Sequence, residues 1–384
     1  MIGAAACVAL PAWPAAAAPT TLFAAWDDGN GASHRIGLLR LSATALHVHA
    51  ALEAPTRAHG LAIEPEGTLL AVARRPGDWL VRWQPTRGKA LWHWNGSARS
   101  FNGHIERRGD VIFTTETDHE SGQSVLVLRD AATLLERAFW PTHGRDAHDF
   151  LFDSDGALWV ANGGIGTDAA TGRSKDVRAM DSSLVRLDAR SGEITGQWRL
   201  ADPRLSLRHL ARADDGRIGV AIQAEHDDAA QRDAAPLLAV WQDGALRAIS
   251  GPPAAGYGGD IAALGSRFFV SATRAGTVWA YDGSGACTTW RTRLPSARWR
   301  PLHSGCGAAQ PVLCWPSTTT APWPRSVNLP CCAWTTTRSS LPHHHGWRAS
   351  NAAQAAHTAA RSPHPCGIRS CPSPSSGAPC SPCR

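Results

Sequence analysis

The chain has 384 residues, with 38 Lys+Arg against 32 Asp+Glu and a formal net charge of +6. That length holds two average domains or one large all-β domain. The charge is uneven: residues 287–384 carry ten arginines, no lysine and no carboxylate, leaving 28 basic and 32 acidic groups before them, so the mildly acidic body excludes nucleic acid as a partner.

The first stretch, MIGAAACVALPAWPAAAAPTT, has an apolar run and small residues around Ala15-Ala16-Ala17, the pattern of an export signal. It lacks a positive n-region, so residues 1–18 read as a truncated signal, and the surroundings of Cys7 make a poor lipoprotein box. A periplasmic, monomeric protein is expected. No other apolar run nears the roughly 20 residues that cross a bilayer, so no membrane span is expected.

From Thr20 to Ala286, short alternating apolar runs are broken by Gly, Asp, Pro and Ser every eight to twelve residues, an all-β signature. A longer period overlies it. HGLAIEPEGTLLAVA (from His59), HIERRGDVIFTT (from His104), HDFLFDSDGALWVA (from His148), HLARADDGRIGVAI (from His209) and DIAALGSRFFVSA (from Asp260) share one plan: a polar head, a strand, a turn and a second strand. Their heads are 45, 44, 61 and 51 residues apart. A third strand follows each pair (WLVRWQ, SVLVLRD, SLVRLD, LLAVWQ, TVWAYD), then a fourth. Four strands per 45 or so residues is the arithmetic of a β-propeller blade. The reading is six recognisable four-stranded blades over residues 20–286, the first showing only three strands and no polar head, with seven expected in an intact chain.

In a propeller the first strand of each blade lines the channel, so His59, His104, His148, His209 and Asp260 are predicted to ring one mouth of it. Imidazole with carboxylate suits Fe, Cu or Zn. Histidine at the head of an inner strand also serves simply to tie loop to blade, and both readings stand at this point. Glu116, Asp118, His119, His143 and Asn162 flank the heads and are candidate supports behind the ring. Between His148 and His209, the insertion Ala161–Ser183 places Arg173, Lys175 and Arg178 on a rim loop that could meet an anionic partner. There is no G-x-S-x-G, HExxH or CxxCH motif, and no catalytic residue is assigned.

Residues 287–384 hold nine of the ten cysteines. Read one base back, Cys331-Cys332 contains leucine and Trp334-Thr335 contains aspartate, and the whole string becomes [VLM]-Leu-[RC]-[VLM]-Asp, like the in-frame Leu184–Asp188, LVRLD. LCWPSTTTAPWP likewise admits VLAVDDDGAVA, which resembles HLARADDGRIGVA. The tail is therefore expected to be out-of-frame and disordered, hiding the seventh blade. The rival is a genuine Cys-rich module binding zinc through Cys380 and Cys383 or His343-His344-His345.

RAHGLAIEPEGTLLAVARRPG, FNGHIERRGDVIFTTETDHESGQSVLVLRD and HGRDAHDFLFDSDGALWVANGGIGT, with the TGR…K that follows, resemble a bacterial exported propeller family known as domain of unknown function 1513, from about Thr21 to Ala286. Members are similar in fold to YVTN and quinoprotein-amine-dehydrogenase β-chain propellers. The resemblance implies a periplasmic role linked to metal uptake, with iron-acquisition proteins as partners, often twin-arginine leaders, and no established reaction. This chain departs from it at Asp149, where members tend to have Glu, and at Thr117, where they tend to have Asn. The expected function is a metal-binding or scaffold propeller that is not an enzyme. The alternatives are a lactonase-like hydrolase or quinoprotein-type oxidoreductase, and a pure protein-interaction scaffold.

Overall fold

Short apolar runs punctuated by turn residues fold here as antiparallel meanders, and six of them succeed one another along the chain. The computed structural model describes residues 20–27, 33–41, 46–166, 168 and 177–290. The expected leader, the tail beyond Trp290 and the seventh blade expected there fall outside these residues.

The first sheet has three strands, β1 (Thr20–Asp27), β2 (His34–Leu41) and β3 (Leu46–Ala54). The second has β4 (Ala58–Ile63), β5 (Leu69–Ala73), β6 (Trp79–Gln84) and β7 (Lys89–Trp94). The third has β8 (Arg99–Arg108), β9 (Val111–Asp118), β10 (Ser124–Asp130) and β11 (Glu136–Pro141). The fourth has β12 (Ala147–Phe152), β13 (Ala157–Asn162), β14 (Ser183–Asp188) and β15 (Ile194–Trp198). The fifth has β16 (Leu205–Arg212), β17 (Ile218–Ala224), β18 (Leu238–Gln242) and β19 (Ala245–Ile249), with a short helix α1 (Ala229–Ala234) between β17 and β18. The sixth has β20 (Gly258–Leu264), β21 (Arg267–Ala272), β22 (Thr277–Tyr281) and β23 (Cys287–Trp290). The protein is thus an all-β propeller. Five sheets have four strands and the first, as its sequence shows, has three. The fourth strand of the last sheet begins at Cys287, so the blade runs past the boundary expected at residue 286.

Blades pack face to face in chain order, and their apolar faces merge. Phe23, Ile36, Trp79 and Val81 join the first and second sheets. Leu70, Leu80, Phe101 and Ile112 join the second and third. Phe113, Leu126, Val160 and Val185 join the third and fourth. Trp159, Leu184, Val220 and Ile222 join the fourth and fifth, and Ala221, Leu238, Phe268 and Val270 the fifth and sixth. The strands are nearly continuous apolar runs because both faces are covered: every residue of β5, β13 and β17 is buried.

The carboxylates scattered through the sequence have local jobs at turns. Between the third and fourth strands, Asp130 accepts from the amides of Ala132 and Thr133, Asp188 from Arg190 and Ser191, and Asp282 from Ser284 and Ala286. These are Asx turns, the side chain standing in for a backbone acceptor. Arginines at the ends of inner strands reach back one blade. Arg107 bonds Glu64 at 2.8 Å, and Arg212 pairs with Asp153 at 2.6 Å.

Candidate metal centre in the channel

The five inner strands β4, β8, β12, β16 and β20 break register at the same place. Pairing jumps between Ala58 and Leu61, Phe101 and Ile105, Ala147 and Asp149, Leu207 and Leu210, and Gly258 and Ile261. The residues left outside the ladder include His59, His104, His148, His209 and Asp260. A β-bulge bends its strand and turns the extra side chain away from the two sheet faces. Repeated blade by blade, the bulge turns these heads toward one another in the channel.

The four imidazoles meet. One ring nitrogen of each lies within 4.8 Å of one nitrogen of every other. His148 Nε2 and His209 Nε2 stand 3.0 Å apart. Their packing needs glycine at 103: its φ is +109°, and a Cβ there would sit 2.7 Å from Cδ2 of His59. The ring centroids are 4.5 to 5.9 Å apart over all six pairs.

Those separations define a shape. With a metal–nitrogen bond of about 2.0–2.1 Å, tetrahedral imidazoles have all centroids ~5.2 Å apart, whereas a square gives ~4.5 Å along edges and ~6.4 Å across diagonals. The two pairs diagonal in blade order, His59–His148 at 5.6 Å and His104–His209 at 5.1 Å, are no longer than the edge pair His59–His209 at 5.9 Å. The six separations depart from the square pattern and lie nearer the tetrahedral one.

Carboxylates stand behind the rings. Asp149 Oδ1 lies 2.8 Å from His104 Nδ1 and Oδ2 lies 4.0 Å from His209 Nδ1, while Asp149 is itself fixed by the amides of Phe150 and Leu210. Asp260 Oδ1 lies 3.6 Å from His209 Nδ1. The sequence reading put Asp260 on the ring as a fifth member; it stands instead behind His209, because a short carboxylate does not reach where an imidazole does. Asp149 was not among the expected site residues.

Burial sets the protonation. It drives His59 and His148 well below the ordinary imidazole value, helped at His59 by His104 and His209 and at His148 by Arg208 and His209. Burial with His104 brings His209 down to about 3. Burial alone would raise Asp149, yet His104 and the Leu210 amide hold it below the usual carboxylate range. Asp260, pushed up by burial and by Asp149, reaches about 6. Neutral imidazole is the form that binds a metal ion. Nε2 of His59, Nε2 of His104 and Nδ1 of His148 are buried and make no hydrogen bond within the protein. Buried polar atoms seldom go unpaired, and a metal ion would satisfy the first two while Asp149 holds the far side of His104.

At the start of the inner strands an ion triad crosses the channel. Asp146 is bonded by Arg208 of the fifth sheet at 2.7 Å and by Arg75, which follows β5 of the second sheet. The NGG string belongs to this layer. A Cβ on Gly163 would lie 2.5 Å from Asp146 Oδ2 and 2.6 Å from Arg208 Nη1, so only glycine lets the backbone pass.

The expected supports lie elsewhere. Glu116 is buried between the second and third sheets, paired with Arg129 at 2.6 Å and bonded by Asn95 and Thr114. Asp118 accepts from the Ser121 amide in the β9–β10 turn. His119 bonds Ser97 O and Ser100 Oγ. The His143 carbonyl accepts from Gln197, and Asn162 donates to Thr142 O. Glu116, Asp118 and Asn162 sit on second strands, whose side chains face neighbouring sheets and not the channel, and His119 and His143 sit in the loops that follow β9 and β11. Arg178 is exposed on a turn, while Arg173 and Lys175 lie outside the described residues.

The model of the family described as "Protein of unknown function (DUF1513)" matches residues 52–298. The chain belongs to the DUF1513 family. The match starts a blade later than residue 21 and runs past residue 286, and no curated protein matches the chain in sequence. Among solved structures, this DUF1513 protein is similar to virginiamycin B lyase from Staphylococcus aureus, at 11% identity over 72% of this chain and 89% of that one, with a TM-score of 0.48. It is similar also to Kuenenia stuttgartiensis hydrazine synthase, at 13% identity over 66% and 74% of the two chains and a TM-score of 0.49. A third is the PQQ-bound aldose sugar dehydrogenase from Streptomyces coelicolor, at 14% identity over 61% and 80% and a TM-score of 0.37. None of these activities transfers to this chain at such identities.

Proposed function

We propose that this protein is a propeller that binds one transition-metal ion through His59, His104, His148 and His209 and does no chemistry on it. The observation that carries the reading is the convergence of four imidazoles, with buried nitrogens of His59 and His104 that lack partners. Nitrogen donors without a directly facing carboxylate favour Zn, Cu or Fe(II) over Mg or Ca. Four protein ligands fill a tetrahedral ion, and closed sites of that kind are structural, whereas catalytic sites keep a position for water or substrate. That weighs against the hydrolase and oxidoreductase readings. A pure interaction scaffold gives no reason for orphaned imidazole nitrogens to converge. An exported setting and partners in iron acquisition belong to this proposal through the leader-like N terminus and the family resemblance.

The test is titration of the full chain with Zn(II), Cu(II), Fe(II) and Co(II), with stoichiometry from equilibrium dialysis and geometry from the Co(II) absorption bands. One equivalent of tetrahedral Co(II) is expected. His104→Ala and His148→Ala should each weaken binding by more than about 100-fold, beyond what loss of an outer-shell partner does. Unchanged affinity in both variants refutes the metal reading and leaves the scaffold.

A further inference from the structure

The two ends of the channel around the histidines differ in charge and in contact with solvent. Toward the start of the inner strands lie Arg75, Asp146 and Arg208: two guanidiniums and one carboxylate, bonded to one another across three blades. Their side chains are 10%, 1% and 5% exposed. Beyond the histidines in chain direction lie Asp149, Asp260 and Glu106, with Arg108 bonded to Glu106 at 2.8 Å: three carboxylates and one guanidinium. Here the side chains are more exposed, 16% at Asp149, 27% at Asp260 and 33% at Glu106. Glu106 follows His104 by two residues on β8, while the neighbouring Arg107 turns back to Glu64 of the preceding sheet. His104 and His209, the rings facing these carboxylates, are 15% and 14% exposed; His148 is 6% exposed.

From this asymmetry we propose that a divalent cation reaches and leaves the four-histidine centre by one end of the channel only, passing over Glu106, Asp260 and Asp149, while the Arg75–Asp146–Arg208 triad shuts the other. The inference rests on the reading of the histidines as a metal site. The destination is set by the unpartnered nitrogens of His59 and His104 beside His148 and His209. A cation at the open end meets a net negative field in a low-dielectric channel, which concentrates it and speeds capture. At the shut end it meets net positive charge and a buried ion pair that must part before anything passes. Asp149 is the last carboxylate on the path and also holds His104, so the ion passes from steering oxygens to ligand nitrogens within one step.

Charges along an approach path act on association rate and on its salt dependence more than on final affinity. Stopped-flow mixing of the full chain with Co(II) at neutral pH, at low and high ionic strength, reads both. Glu106→Gln, at a one-third exposed position, is expected to slow capture about threefold to tenfold at low salt and to flatten the salt dependence. Glu106→Lys is expected to slow it further. Arg75→Gln keeps Asp146 bonded to Arg208 and should leave the rate within about twofold of the parent. Capture unaffected by both Glu106 variants overturns the proposal. Should Arg75→Gln fail to fold, the two Glu106 variants decide alone. A parent protein that takes up no Co(II) sinks the metal reading itself, an outcome separate from uptake that ignores Glu106.

Discussion

Replacing Asp149 by asparagine tests how the centre is built. The Asp149 carboxylate accepts from His104 Nδ1 at 2.8 Å and from the amides of Phe150 at 2.8 Å and Leu210 at 2.9 Å. An asparagine of the same shape has one carbonyl oxygen and one NH₂. Whichever way it turns, its NH₂ faces either the imidazole together with the Phe150 amide, or the Leu210 amide, donor against donor. At least one hydrogen bond to a charged acceptor is lost, an interaction of about 1.5–3 kcal/mol. If the loss falls on His104, its ring is released from the tautomer and orientation that present Nε2 to the ion, and removing such a partner typically weakens metal binding about 10- to 100-fold. The expectation for Asp149→Asn is a drop of that size in affinity, with the propeller intact. Competition between the protein and a chelator of known affinity measures it, and circular dichroism checks the fold. Equal affinity in parent and variant would refute the claim that Asp149 positions His104.

Gly163→Ala should destabilise by about 1–3 kcal/mol, since its methyl enters the Asp146–Arg208 contact; denaturant unfolding reads the change. Trp79→Ala, at a fully buried ring bonded to Thr56, should cost about 3–5 kcal/mol in the same assay, while Trp94→Ala, half exposed, should cost far less. His93 is held below its ordinary value by burial and by Arg129, so its folded-state value lies under its unfolded one. Its stabilising contribution is therefore complete above about pH 6.5 and is lost as pH falls below that. His93→Gln should flatten the stability profile in that acidic window, and an unchanged slope would show that His93 does not titrate with unfolding.

The blades are legible in the sequence because period-two alternation and Asx turns are local signals, and both recur at every repeat. The four histidines are legible for a related reason: alignment of repeats places equivalent residues at equivalent depths. Geometry beyond equivalence is not in the pattern. Asp149 follows His148 directly, and simple alternation sends neighbours to opposite faces; the bulge between Ala147 and Asp149 lets both serve the channel. Asp260 occupies the repeat position of a histidine, but its side chain is too short to join the ring. Arg75 has no counterpart among the repeats, since it meets Asp146 only because the second to fourth sheets curve around one channel. Glu116 looks like part of the site because it adjoins a strand near the heads, yet it sits on a second strand, facing the preceding blade.

Because each channel-facing head is a surplus residue outside the register of its strand pair, its side-chain identity is decoupled from the ladder that holds the blade. A cysteine, an aspartate or a bare serine could be installed at any of these positions with the sheets undisturbed. Blade architecture and the chemistry presented to the channel can therefore vary independently on the same frame.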